Sequence, residues 1–93
     1  MPQIDKKVVV FTSPTCGPCK RLKPELIAQS EIRGFELEIV ELSEETRPRF
    51  AEFGIKAVPV TILIDKLDGK ELDRFPGQLS SASVEAKMVE WGF

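Results

Sequence analysis

The sequence predicts an α/β fold of element order βαβαββα: a four-stranded mixed sheet flanked by three helices, formed by residues 1–93 as one domain. Three observations carry this expectation. Val8–Phe11 and Val60–Ile64 are β-branched or aromatic runs too short for helices. Cys19, Leu22 and Leu26, and again Val84, Met88 and Trp91, recur at helical spacing among polar residues. Asp68-Gly69 between two extended segments is a strong hairpin signal. With 93 residues, 42% of them hydrophobic, the chain has room for one compact core.

Taken in order, Val8–Phe11 forms the first strand and Ser13-Pro14-Thr15 stops it. A helix starts at Cys16, carries Pro24 as an expected kink, and ends before Gly34. Leu37 and Ile39, with Val40 and Leu42 on the opposite parity, predict a second strand buried on both faces. Thr46 is the expected N-cap of a two-turn helix from Arg47 to Phe53, with Pro48 in its first turn, Gly54 after it, and Phe50 and Phe53 turned to the core. Val60–Ile64 and Lys70–Phe75 flank the Asp68-Gly69 turn. Beyond Pro76-Gly77, Ser80 or Ser81 caps the last helix. Joining the first two strands through a helix implies a right-handed parallel crossover, and the hairpin adds two antiparallel strands.

The charge balance narrows the function. At a net charge of −2 the chain has no electrostatic footprint for nucleic acid or an anionic membrane, and no apolar run approaches the roughly 20 residues of a membrane span. The segment Met1–Lys7 has no apolar stretch of the secretory kind, so a cytoplasmic location is expected. No histidine is present, which excludes Ser-His-Asp and Cys-His arrangements, and two cysteines cannot complete a four-ligand zinc site within one chain. Whatever chemistry exists falls to the two sulfurs or to carboxylates.

Those sulfurs sit together in Cys16-Gly17-Pro18-Cys19, at a strand-to-helix junction. Cys16 falls at or near the helix N-cap, where unpaired N–H groups and the helix dipole favour a thiolate; Lys20, Arg21 and Lys23 add positive charge. An unusually acidic Cys16 thiol is therefore expected. Three-residue spacing on the first turn brings Cys19 within disulfide reach, and its place on the apolar face makes it the deeper sulfur. Gly17 permits close approach of a partner, and Pro18 presets the first turn without leaving an N–H unpaired. The chemistry that follows is dithiol exchange: Cys16 attacks a substrate disulfide, and Cys19 then resolves the mixed disulfide. An inert structural pair and half of a zinc site are the bland alternatives.

Phe11–Leu26, with Cys-Gly-Pro-Cys-Lys and Pro24 five residues after the second Cys, resembles the active-site segment of the thioredoxin family. Phe53–Thr61 resembles that family's approach to a cis-proline, and Asp68-Gly69 and Pro76-Gly77 resemble its hairpin and the glycine loop beside the substrate groove. The resemblance covers nearly the whole chain from residue 7 and implies the thioredoxin fold. It implies a cis Val58–Pro59 peptide beside the sulfurs, Val58 backbone groups pairing with an extended substrate, and Gly77 bordering the same groove. Thr15, Gly17, Pro18, Val58, Pro59, Pro76 and Gly77 are then the expected substrate-binding residues. The sequence also departs from the family. The first six residues do not supply the usual extra strand and helix, leaving the minimal fold shared with glutaredoxins. Thr12 and Thr15 replace two tryptophans, and Val10 replaces a buried acid. Glu41, on one strand face with Leu37 and Ile39, is the expected substitute base for Cys19, its pKa raised by burial; a solvated strand-end glutamate is the alternative.

Trp91 and Met88 read as core. Asp65, Asp68, Glu71 and Asp73 read as a solvated edge rather than a metal site, and no metal or other cofactor is expected. The function expected is reduction of protein disulfides by a monomer that takes electrons from a thioredoxin-reductase-like or other thiol donor. The alternatives are a glutathione-dependent enzyme of glutaredoxin type, which Gly17-Pro18 disfavours, a noncatalytic thioredoxin-like interaction subunit, and an iron–sulfur or metal site shared between two chains.

Overall fold

A computed structural model describes residues 5–93. Part of the N-terminal segment on which the cytoplasmic expectation rests, residues 1–4, lies outside them. The elements are β1 (Lys6–Thr12), α1 (Gly17–Arg33), β2 (Glu36–Glu41), α2 (Arg47–Glu52), β3 (Val60–Asp65), β4 (Glu71–Pro76) and α3 (Ser81–Glu90). The strands form one sheet in the order β2-β1-β3-β4. β1 pairs parallel with β2 and antiparallel with β3, and β4 is antiparallel to β3. This is the thioredoxin fold.

Strand parity divides the interior into two cores. Val8 and Val10 of β1 pack with Leu63, with Leu22 and Leu26 of α1, and with Val84, Met88 and Trp91 of α3. Val9, Phe11, Ile62 and Ile64 turn to the opposite side, where Phe50 of α2 covers them. Its ring meets Phe11 edge-on, with centroids 4.9 Å apart. β1 is therefore buried on both faces, as its unbroken apolar run requires.

Local chemistry sets the helix limits. α1 ends at Gly34, whose φ of +74° suits glycine and whose N–H donates to the Ser30 carbonyl at 2.8 Å. The helix is continuous across Pro24. The Ser80 hydroxyl caps α3 by accepting the Ser83 N–H at 3.2 Å. Across the molecule, the Trp91 indole N–H donates to Asp73 Oδ2 at 2.9 Å, tying the end of α3 to β4. That bond holds the Asp73 carboxyl below the usual carboxylate range.

Two expectations are corrected. β2 is not buried on both faces: it lies at the sheet edge, only Val40 is buried, and Ile39 and Leu42 are each about two-fifths exposed. Apolar residues on both parities marked a strand there, but neither marked its place in the sheet. Thr46 is the N-cap residue of α2, as expected, but its side chain makes no capping bond. Its hydroxyl instead donates to the Glu41 carbonyl at 2.6 Å and accepts the Ser43 N–H at 2.9 Å, building the β2–α2 turn. The helix ends at Glu52, and Phe53 packs half-buried against the second core. α2 is held from below by Glu38, which accepts from Lys7 Nζ at 3.0 Å and from the Arg49 guanidinium.

Candidate active site

β1 carries the chain to the sheet end, and Ser13–Thr15 turn it into α1. The Cys16 N–H closes that turn on the Ser13 carbonyl at 3.2 Å. Cys16 is the N-cap residue of α1, and its sulfur accepts the Cys19 N–H at 3.1 Å. One of the donors left unpaired at the start of every helix thus points at sulfur. The first turn brings the two Cα atoms to 5.3 Å, and the sulfurs are joined as a disulfide. Cys16 is 8% exposed and Cys19 fully buried, so solvent reaches the first cysteine and not the second. Thr15, Gly17 and Pro18 are exposed around Cys16, and a Cβ at Gly17 would meet nothing within 4 Å. Lys20 and Arg21 follow, exposed, with Lys23 half-buried.

The second wall comes from the loop entering β3. Phe11 pairs with Val60, so Pro59 arrives at the same sheet end as the sulfurs. The Val58–Pro59 peptide is cis, Pro59 is buried and Val58 half-buried. Pro76 pairs with Val60, and the next residue, Gly77, donates its N–H to the Pro59 carbonyl at 2.8 Å. Gly77 adopts φ +72°, a conformation that favours glycine. Cys16, Cys19, Val58, Pro59, Pro76 and Gly77 therefore converge from three separate stretches of chain. On the α2 side of this end, a cavity of about 350 Å³ is lined by Ser13, Leu42, Arg47, Phe50, Ile55 and Val58, among others. Its walls are mostly apolar, with Arg47 and Lys56 contributing charge.

Glu41 is the exception. It is in register with Thr12 on the face expected, but at the exposed edge of the sheet. The burial on which its role as substitute base depends is absent, because an edge strand end is open to water. Two residues given no catalytic role in the sequence reading, Thr12 and Thr61, lie on the sulfur side instead. Both are fully buried, and neither hydroxyl has a hydrogen-bond partner among the described residues. Buried hydroxyls are nearly always paired, so threonine at core parity was the available signal. Among the described residues no cluster of three or more cysteines and carboxylates is placed to hold a metal.

The sequence profile described as "Thioredoxin-like domain" matches residues 2–90. The chain belongs to the thioredoxin-like family. Among its relatives, Thioredoxin X, chloroplastic, of Arabidopsis thaliana is 35% identical over 86 residues, covering 90% of this chain and 44% of the plant protein. Thioredoxin of the alga Porphyra purpurea is 29% identical over 85 residues, covering 90% of this chain and 78% of the relative. The chain thus spans less than half of one relative's length and most of the other's. Among solved structures, Chlamydomonas reinhardtii thioredoxin f2 superposes with a TM-score of 0.83 at 24% identity, covering 97% of this chain and 82% of that one. That likeness speaks for the thioredoxin fold, and the profile match extends the family assignment across both the Cys16–Cys19 turn and the Val58–Pro59 loop. No helix among the described residues is long and apolar enough to cross a membrane.

Proposed function

We propose that this chain is a thiol–disulfide oxidoreductase that reduces protein disulfides through the Cys16/Cys19 pair. The observation that carries the reading is the asymmetric disulfide at the start of α1, with Cys16 slightly exposed and Cys19 fully buried. In the reduced protein the helix N-terminus and the cationic side chains after it favour Cys16 as the thiolate. Cys16 attacks one sulfur of the substrate disulfide, the other leaves as a thiolate and takes a proton from water, and a mixed disulfide remains. Cys19 then attacks Cys16 Sγ; the bond to the substrate breaks, and the second substrate thiol departs. Thr15, Gly17 and Pro18 border the attacked sulfur. Val58, Pro59, Pro76 and Gly77 form the facing wall, where the Val58 backbone pairs with an extended substrate segment.

Each turnover leaves the protein oxidised, so a reductase of the thioredoxin-reductase type or another thiol must restore the dithiol. The chain acts as a single domain and a monomer in the cytoplasm, without a bound metal or cofactor. The test is reduction of a disulfide-bonded protein with dithiothreitol as the donor. Cys16→Ser abolishes turnover, and Cys19→Ser accumulates a mixed disulfide that is visible by mass spectrometry. Full turnover by Cys16→Ser overturns the reading.

A further inference from the structure

Among the described residues, the buried part of the sulfur side of the sheet is apolar apart from two side chains at one end, Thr12 and Thr61; Glu41 and Asp73 lie on the same face toward its edges. α1 returns along β1, so its N-terminus stands over the β1 C-terminus, with the N-cap Cys16 four residues after Thr12. Cys19, Leu22 and Leu26 form the buried stripe of α1, and Leu22 and Leu26 pack in the core that holds Val8 and Val10. Continuing one step toward the α1 N-terminus leads from Leu22 to Cys19 on the helix and from Val10 to Thr12 on β1. On β3 the step from Leu63 leads to Thr61, which is opposite Val10 in the register. Two fully buried hydroxyls therefore lie on the face and at the end of the sheet where α1 begins, and both lack a partner, Cys19 Sγ included, while the sulfurs are bonded to each other.

A disulfide sulfur is a neutral, weak acceptor, whereas a thiolate accepts charge-assisted hydrogen bonds. We propose that the Thr12 and Thr61 hydroxyls are hydrogen-bond donors to the Cys19 sulfur, holding it as a thiolate when the Cys16–Cys19 bond is open. The role rests on the dithiol reading above. In the resolving step the Cys19 thiolate attacks Cys16 Sγ, the Cys16–substrate bond breaks, and the electron pair leaves on the substrate sulfur. The proton that Cys19 gave up reaches that sulfur through water, so one thiol is consumed and one is produced. The donors lower the cost of the thiolate without themselves losing a proton. The titratable groups around this end are Lys20, Arg21 and Lys23 on α1 and Glu41 on β2, none of them buried, while β1 and β3 present only Thr12, Val10 and Thr61 there.

Thr12→Val and Thr61→Val keep shape and remove the donors; Thr→Ser at each position keeps them. Resolution of a preformed mixed disulfide is followed by stopped flow across pH, and the Cys16–Cys19 couple is equilibrated with glutathione buffers. The double valine variant is expected to resolve about tenfold more slowly at neutral pH. Its pH profile moves about one unit upward, with initial attack by Cys16 unchanged. Because the donors favour the open form, their loss shifts the equilibrium about tenfold toward the disulfide, or ~30 mV more negative. The serine variants stay within about twofold of wild type. Valine variants that match wild type in resolution and in equilibrium overturn the proposal, as do serine variants that fall as far as valine. Thr→Ala at each position supplies the same comparison if a valine variant fails to fold. The glutathione equilibrium needs no protein substrate, so failure of the wild type to reduce protein disulfides refutes the functional reading while leaving this measurement decisive for the threonines.

Discussion

Replacing Glu38 with Gln tests how α2, which walls the cavity beside the sulfurs, is fastened to the sheet. Glu38 accepts from Lys7 on β1 and from Arg49 on α2, so one carboxylate joins three elements. The Arg49 bond, then that of Lys7, holds the Glu38 carboxyl below its ordinary range, outweighing the opposing effect of partial burial. The side chains are about a quarter to a third exposed, which leaves these pairs on the scale of surface ion pairs, each about 0.5 kcal/mol. Two pairs give about 1 kcal/mol, or a Tm loss of about 5 °C for a domain of this size. A group whose pKa is lowered by folding stabilises above its ordinary pKa and ceases to do so as pH falls through the folded value. The Tm gap between wild type and Glu38→Gln should therefore be full at pH 7 and close below the usual glutamate range, and salt should shrink it at pH 7. Circular dichroism melts at several pH values provide the measurement. An equal gap at pH 7 and pH 3 would refute the ion-pair account.

Glu41→Gln should leave mixed-disulfide resolution within about twofold of wild type, since an exposed carboxylate at a sheet edge is not desolvated; tenfold slowing in stopped flow would reinstate it as the base. Gly77→Ala forces a Cβ into a left-handed conformation at the lip of the groove and should cost about 1 kcal/mol in chemical denaturation. Leu26→Ala empties a fully buried site under α1 and should cost about 2–5 kcal/mol by the same measurement, with the range set by how far the core relaxes. Asp73→Asn weakens the acceptor for Trp91 and should lower Tm at neutral pH, with the difference fading as acid protonates the wild-type carboxylate.

The features legible in the sequence are those written in local pattern. Val8–Phe11, the Cys16 cap, Gly34, the Asp68-Gly69 turn and the Val84-Met88-Trp91 stripe each depend on neighbours within a few residues, and each occupies the expected element. The position of β2 depends on which strands flank it, a long-range property, so Leu37 and Ile39 marked a strand without marking an edge. Thr46 shows the same limit at short range. Its residue type suited a cap, yet the Glu41 carbonyl and Ser43 N–H engaged its hydroxyl in a turn. At the site, the sulfurs, Pro59 and Gly77 were readable as motifs, whereas Thr12 and Thr61 gain meaning only from what surrounds them.

The edge position of β2 has a consequence for how copies of this chain meet. An unpaired strand edge is a template on which a second molecule can extend the sheet. Three of the six residues of β2 are glutamates, at positions 36, 38 and 41. Glu36 and Glu38 are ion-paired within the chain, Glu36 to Lys66 and Glu38 to Lys7 and Arg49. A second copy laid along this edge would have to strip water from those pairs and from the Glu41 carboxylate, so β2, one of two edge strands, is set against its own kind.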